Sequence, residues 1–417
     1  MKNFLVHNEE TVSEMLESIG LKSLEDLFKQ IPNEARMQNL PLDDALSEMD
    51  VQRRVKSIAK KNNSDRICFM GGGVYNKFIP ACVGDIARRW EFLTAYTPYQ
   101  PEISQGTLQI MYEFQTMICK LTGIDISNAT VYDGASACAE AVLMAVRISK
   151  KSKVLVSERL NPEYLKVIQT YTWAGDIEVE LFDKVPENTA DYACVLIQTP
   201  DYYGEIAEIG VLEDVQCLKI VCCDVSSLSL LATPCEYGAD IAVGDIQSLG
   251  IPMNFGGPHA GFLACREKYM RQLPGRLAGK TVDKDGNDAY TLTIQTREQH
   301  IKREKATSNI CSNQALIGLC ANVYLSLLGE NGFKQAGYLS AKNAHSLADG
   351  LKNKGYKILT ENFYNEFVVE TPDADKFLAK LSEQDIDGGI KLDDKRILVA
   401  ATEMNTQDEI SKYISIV

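Results

Sequence analysis

Three stretches of this 417-residue chain carry residue types that could act together in chemistry. Asp133-Gly-Ala-Ser-Ala follows a short apolar run and precedes a helix-forming one. A helix starting there would offer free N–H groups beside the Ser136 hydroxyl, which suits a phosphate; small residues also simply permit close packing. Asp224 ends the run Ile220-Val-Cys-Cys. A carboxylate at the end of a buried parallel strand stands where α/β sheets hold ligands, and so placed it can keep a pyridinium nitrogen protonated. A helix cap or a solvated loop acid is the alternative. About twenty residues on, Gly244-Asp-Ile-Gln-Ser-Leu-Gly-Ile-Pro-Met-Asn-Phe-Gly-Gly-Pro-His-Ala-Gly has the form of a strand running into a glycine-rich turn. A pyridoxal-phosphate enzyme would place its lysine here, yet no lysine lies between Lys219 and Lys268. Without an amine no covalent attachment of such a cofactor is expected at this place.

Two further stretches are dense in hydrogen-bonding groups. Tyr96-Thr-Pro-Tyr-Gln-Pro-Glu-Ile-Ser-Gln-Gly packs two prolines among tyrosines, amides and a glutamate. Pro98 and Pro101 stiffen the backbone, so Tyr96, Thr97, Tyr99, Gln100 and Glu102 would project from a fixed loop; a rigid internal turn is the plainer reading. Arg297, Lys302, Arg303 and Lys305 cluster before Thr307, Ser308 and Asn309. That cluster is either a local positive patch or a solvated helix face paired with Glu298 and Glu304.

The elements that must position these residues alternate. Strands are predicted at 129–132, 153–156, 177–182, 193–198, 219–224, 239–243 and 260–265, with helices at 104–122, 137–148 and 162–171 among them. Such alternation implies an α/β fold with a mostly parallel sheet. Gly71-Gly-Gly is a loop, since three glycines cost a helix too much backbone entropy. Helices are expected at 23–31 and 42–61, and two long ones at 313–328 and 333–352. Tail strands are expected at 356–359, 366–370 and 396–400. The organisation read from this is a helical N-terminal segment over 1–66, a large α/β domain over 67–320 and a small α+β domain over 321–417.

The net charge of −14 argues against nucleic acid as a partner. No apolar run reaches the length of a membrane span, and the N-terminus turns acidic before a signal-peptide core forms, so a cytoplasmic protein is expected. The twelve cysteines and four histidines show no metal-ligand spacing, so reduced core cysteines and no metal are expected.

Taken together, Phe69-Met-Gly-Gly-Gly-Val-Tyr, the Tyr96–Gly106 stretch, Val131-Tyr-Asp-Gly-Ala-Ser-Ala and Arg297-Glu-Gln-His-Ile-Lys-Arg-Glu-Lys-Ala-Thr-Ser-Asn-Ile-Cys-Ser-Asn-Gln-Ala-Leu resemble the P-protein family of the glycine cleavage system, glycine decarboxylase, in its half-length α subunits. The likeness runs through nearly the whole chain. It implies the pyridoxal-phosphate-dependent transferase fold (fold type I, aminotransferase-like) and a heterotetramer of two α and two β chains, active only in complex. The lysine, and with it the cofactor, would belong to the β subunit, so this chain would not hold pyridoxal phosphate covalently. Alignment of the downstream proline on Pro252 places Gln247 where that lysine would be. The implied reaction releases CO₂ from glycine and passes the aminomethyl group to the lipoyl arm of H-protein. Tyr96, Thr97, Tyr99, Gln100, Glu102, Thr307, Ser308 and Asn309 would then reach the partner's active site. Ser136 and Asp224 would remain as a vestigial cofactor site, and Arg297, Lys302, Arg303 and Lys305 would dock H-protein or the partner. The competing readings are a self-sufficient pyridoxal-phosphate enzyme using another lysine and a scaffold with no part in any active site.

Overall fold

A computed structural model describes residues 7–37 and 41–417; the first six residues, which bear on the expectation of no signal peptide, lie outside them. The described residues form two compact units, one ending at Ser64 and one from Asp65 to Val417.

In the first unit α1 (Glu9–Ser18) starts where the Asn8 side chain accepts from the Thr11 N–H at 2.8 Å. The helix expected at 23–31 is a short 3₁₀ turn, Leu24–Phe28, begun by a Ser23/Asp26 capping box. The helix expected at 42–61 starts later, as α2 (Glu48–Ala59), because Ser47 is its cap and accepts from the Asp50 N–H. Leu16 is the one apolar side chain buried among the described residues of this unit.

The second unit is built on a seven-stranded sheet. Its strands are β1 (Ile126–Ser127), β2 (Lys153–Ser157), β3 (Glu178–Phe182), β4 (Cys194–Gln198), β5 (Leu218–Cys222), β6 (Ile241–Asp245) and β7 (Gly261–Cys265). They lie in the order β1-β7-β6-β5-β4-β2-β3, parallel from β3 through β6, with β7 antiparallel to both its neighbours. The central strands are apolar on both faces, as a sheet covered on both sides requires. On one side α3 (Gln105–Thr122) buries Leu108, Met111, Phe114, Gln115 and Ile118, which share one helical face, and ends at Gly123 with φ +70°. On the other lies α4 (Gly134–Ser149), whose small residues let it sit close to the strands, beside α5 (Pro162–Trp173).

A hairpin not expected from the sequence, β8 (Ala278–Val282) with β9 (Asp288–Leu292), is held to α3 by two glutamines. Gln115 exchanges hydrogen bonds with both backbone groups of Ala278, and Gln105 does the same with Tyr290. The two long helices form one run, α6 (Ala315–Asn353), broken at Gly329, whose φ of 58° and ψ of −172° are not helical. The tail strands Lys357–Ile358, Glu366–Glu370, Arg396–Ala400 and Ile390–Lys391 make a separate antiparallel sheet with its own apolar core. Among the described residues no helix is long and apolar enough to cross a membrane and no cluster of side chains could hold a metal.

Candidate functional site

The parallel strands β5 and β6 deliver Asp224 and Gln247 just past their C-terminal ends, so the sheet brings together the pair that the sequence singled out. Gln247 is buried, and its amide is fully engaged. Its Oε1 accepts from the Tyr75 N–H at 2.9 Å, and its Nε2 donates to the carbonyls of Tyr75 (3.0 Å) and Ile251 (2.9 Å). A neutral side chain thus pins the glycine-rich loop at 71–73 to the turn after β6. Asp224 is half-buried and equally occupied. Oδ1 accepts from the Ser226 N–H and the Ser248 hydroxyl, each at 3.0 Å, and Oδ2 from the Ser226 hydroxyl at 2.6 Å.

The helix N-terminus at Gly134 already holds anions, and they are the protein's own. Asp133 accepts from the Ser136 N–H and hydroxyl at 2.7 and 2.8 Å, and Asp245 accepts from the Gly134 N–H at 3.0 Å. Burial pushes Asp245 up to about 6, against hydrogen bonds from Gly134 and Gln247 that lower it. A phosphate approaching this terminus would meet two carboxylates. Ser136, expected as part of a vestigial cofactor site, gives its N–H and hydroxyl to the Asp133 cap of this helix.

Glu366 enters the same cleft from the tail sheet. It accepts from the Gly72 N–H at 2.6 Å and from the Tyr75 hydroxyl at 3.0 Å. Burial, helped by Asp224 and Asp201, pushes Glu366 up to about 8 in spite of both hydrogen bonds, so it is mostly protonated at neutral pH. Gly71 is glycine because a Cβ there would collide with the Glu366 carboxylate and lie 2.7 Å from Ala400 Cβ. The cavity left among Gly73, Tyr75, Asp224, Gln247, Tyr364 and Glu366 measures about 40 Å³, room for about three water molecules. A wider groove outside it, about 460 Å³, has Asp133 and Asp245 in its lining.

Lys77 is the one lysine buried among the described residues. It donates to Ser340 Oγ at 3.0 Å and pairs with Glu403 at 3.3 Å. Burial by itself would lower its ammonium, but Tyr364, Glu403 and Asp224 hold it above the ordinary lysine range. It is a charged structural lysine with no free amine to offer. With no lysine at 247 and with carboxylates on the helix terminus, the residues of this cleft offer pyridoxal phosphate neither an amine nor a free N–H cradle for its phosphate.

A second constellation lies at the Tyr96–Gly106 loop. Tyr96 is 89% exposed, and Tyr99, Gln100 and Glu102 are also on the surface, while Thr97 is half-buried and Pro98 buried. The loop turns on backbone hydrogen bonds from the N–H groups of Tyr99, Ile103 and Ser104 to Thr97, Gln100 and Pro101. Beneath it lies Arg276, which the sequence reading missed. Only 2% exposed, it donates Nη1 to Thr97 Oγ1 (3.3 Å) and Ser312 Oγ (3.2 Å), and Nη2 to the Tyr99 hydroxyl (3.2 Å) and the Cys311 carbonyl (2.8 Å). One guanidinium therefore joins the loop to the end of the basic segment. A groove beside this junction is lined by Phe92, Tyr96, Thr97, Pro258, Asn313 and Leu316, at the start of α6.

The basic segment divides in a way not expected. Lys302, Arg303 and Lys305 are exposed and, among the described residues, make no ion pair within 4 Å, so the expected pairing with Glu298 and Glu304 is not formed. Arg297 points the other way. It is buried, donating to the carbonyls of Ile294 (3.1 Å) and Gly275 (3.0 Å), and cannot belong to a docking patch. Ser308 gives its hydroxyl to Glu140 at 2.9 Å, Thr307 is half-buried and Asn309 is exposed.

Against known proteins, a family model described as glycine cleavage system P-protein matches residues 2–417. The chain is 44% identical over 437 residues to the probable glycine dehydrogenase (decarboxylating) subunit 1 of Carboxydothermus hydrogenoformans, covering 98% of each. It superposes on the crystal structure of a glycine decarboxylase (P-protein) of the glycine cleavage system, in inhibitor-bound form, with a TM-score of 0.92 and 39% identity over 99% of each chain. A C-DES mutant with glycine covalently linked to its PLP cofactor shares the fold alone, at 14% identity and a TM-score of 0.59, covering 84% of this chain and 96% of that one.

Proposed function

The chain belongs to the glycine cleavage system P-protein family, and we propose that it is subunit 1 of a glycine dehydrogenase (aminomethyl-transferring, decarboxylating), active only with a second, lysine-bearing subunit. Pyridoxal phosphate, in this reading, is held by that partner and supplies the electron sink for decarboxylation. H-protein receives the aminomethyl group. This chain contributes a wall to the partner's site. The Tyr96–Gly106 loop presents Tyr96, Tyr99, Gln100 and Glu102 there, and the exposed Asn309 and half-buried Thr307 would add donors to it. Their work is to orient groups and to place hydrogen bonds where charge develops. The exposed Lys302, Arg303 and Lys305 mark where an acidic carrier would dock, because complementary charge sets the association rate.

The observation that carries the reading is the contrast in hydrogen bonding: Gln247 has every donor and acceptor engaged, whereas Tyr96 is left 89% exposed on a braced loop. The test is substitution within that loop. In the reconstituted assembly, Tyr96→Phe or Glu102→Gln is expected to lower glycine-dependent CO₂ release about a hundredfold with assembly intact, the usual effect of removing one positioned donor or acceptor. Full turnover in every loop variant would return the chain to the role of scaffold.

A further inference from the structure

The junction beneath the loop is built from a buried ion pair. Arg276 Nε lies 3.6 Å from Glu298 Oε2, with their side chains 2% and 11% exposed. The same Glu298 oxygen is 3.6 Å from His300 Nδ1, and the His300 ring meets the Tyr99 ring edge-on, 5.5 Å between centroids. Tyr99 closes the circuit, with its hydroxyl on Arg276 Nη2 and its ring 5.3 Å from the guanidinium carbon. Tyr99 and His300 are both on the surface, carried on a pair that is not.

Stability does not explain this arrangement. Taking a guanidinium and a carboxylate out of water costs several kcal/mol for each ion, and apolar residues of similar volume often serve the core as well. The hydrogen bonding is also incomplete. Arg276 Nε, Glu298 Oε1 and Asn313 Nδ2 are all buried without a hydrogen-bond partner among the described residues, and Asn313 Oδ1 is itself 3.5 Å from Arg276 Nη1. Orphaned polar atoms gathered at one place call for a reason other than packing. What the guanidinium supplies there is geometry. Its planar fork fixes several acceptors at once, which a lysine cannot do. Those acceptors come from two separate segments, Thr97 and Tyr99 on one side and Cys311, Ser312 and Asn313 on the other.

We infer that Arg276 is a positioning residue for the reaction: braced by Glu298, it fixes Tyr99 and His300 on the face turned to the partner's active site. This rests on the reading proposed above, that the Tyr96–Gly106 loop borders that site. Arg276 itself is buried under the loop. It acts through the loop it holds, and a loop displaced by about 1 Å can cost about a hundredfold in rate.

The test uses the assembled two-subunit enzyme with lipoylated H-protein and two variants. Arg276→Lys keeps the charge and loses the fork. The double variant Thr97→Val/Tyr99→Phe removes the loop's acceptors and leaves Arg276 in place, which carries the test should Arg276→Lys fail to fold. Two quantities are read, amide exchange at Tyr99, Ile103 and Ser104, and the kcat for glycine decarboxylation. Exchange at those amides is expected to accelerate at least tenfold. The kcat is expected to fall 10- to 100-fold, while the KM for H-protein and the affinity between subunits stay within threefold. Unchanged exchange would overturn the inference and leave the proposed function standing. Faster exchange with unchanged kcat would show that Arg276 holds the loop but that the loop has no part in turnover, and the proposed function would fail instead.

Discussion

The cleft at the ends of β5 and β6 and the face around the Tyr96–Gly106 loop are built from similar groups, carboxylates, amides, tyrosines and a buried cation, put to opposite uses. In the cleft every such group points inward to another part of the chain. Gln247 clamps Tyr75 and Ile251, Asp224 gathers Ser226 and Ser248, and Glu366 ties the glycine loop to the tail sheet. On the face the buried member, Arg276, holds side chains whose other surfaces stay open. In the proposed function, the working groups are those held in place with their outer surfaces open. The comparison predicts that changes in the cleft act on stability and changes on the face act on turnover.

Gln247→Leu tests the cleft side by substitution. It leaves the Tyr75 N–H and two carbonyls buried without partners, a loss of about 2–4 kcal/mol measured by denaturant unfolding. The kcat of the assembly that does form should not change; a fall in kcat would mean that the cleft takes part in catalysis and would break the comparison.

Glu366 sharpens the same side through pH. Its folded value, about 8, lies above the ordinary 4.5, so the native state binds more protons than the unfolded chain between those limits. Stability should therefore be full below about pH 4.5 and decline as pH rises through 8, by on the order of 4 kcal/mol. Asp245, raised to about 6, adds in the same direction at the lower end of the window. Glu366→Gln, neutral at every pH, should remove most of that slope in thermal melts from pH 5 to 8. A slope unchanged by the substitution would place the titrating group elsewhere.

The smallest effect belongs to the face. Lys302→Glu/Arg303→Glu should raise the apparent KM for H-protein several-fold and leave turnover with free lipoic acid nearly unchanged. The effect should shrink with added salt, since exposed charges are screened over about 8–10 Å near physiological ionic strength. Equal losses with both acceptors would move these residues into the active site. Arg297, buried against Ile294 and Gly275, belongs to neither test.

Much of this was legible from residue pattern, because apolar runs and caps are local. The strands Glu366–Glu370 and Arg396–Ala400 begin and end where the sequence places them, and Gly123 ends α3 as a left-handed cap. The break between the two long helices is present at Gly329. The hairpin of β8 and β9 went unread although Asp285-Gly286 marks its turn, since charged residues on both strands hide their alternation. Arg276 could not be found at all. It follows a proline and a glycine in an unremarkable run, and its burial is decided by Thr97 and Tyr99, 179 and 177 residues earlier. Gln247 was placed correctly past β6, but whether its amide faced the cleft or clamped the backbone depends on Tyr75, 172 residues away.

The central claim is that the reactive amine lies outside this chain, and borohydride trapping tests it most directly. The purified chain, then the chain with its second subunit, is mixed with pyridoxal phosphate, scanned for absorbance, reduced and mapped for modified lysines. The account predicts no aldimine band and no reduced adduct with this chain alone, and an adduct confined to the second subunit once both are present. A stoichiometric adduct on any lysine of this chain, the buried Lys77 above all, would contradict it.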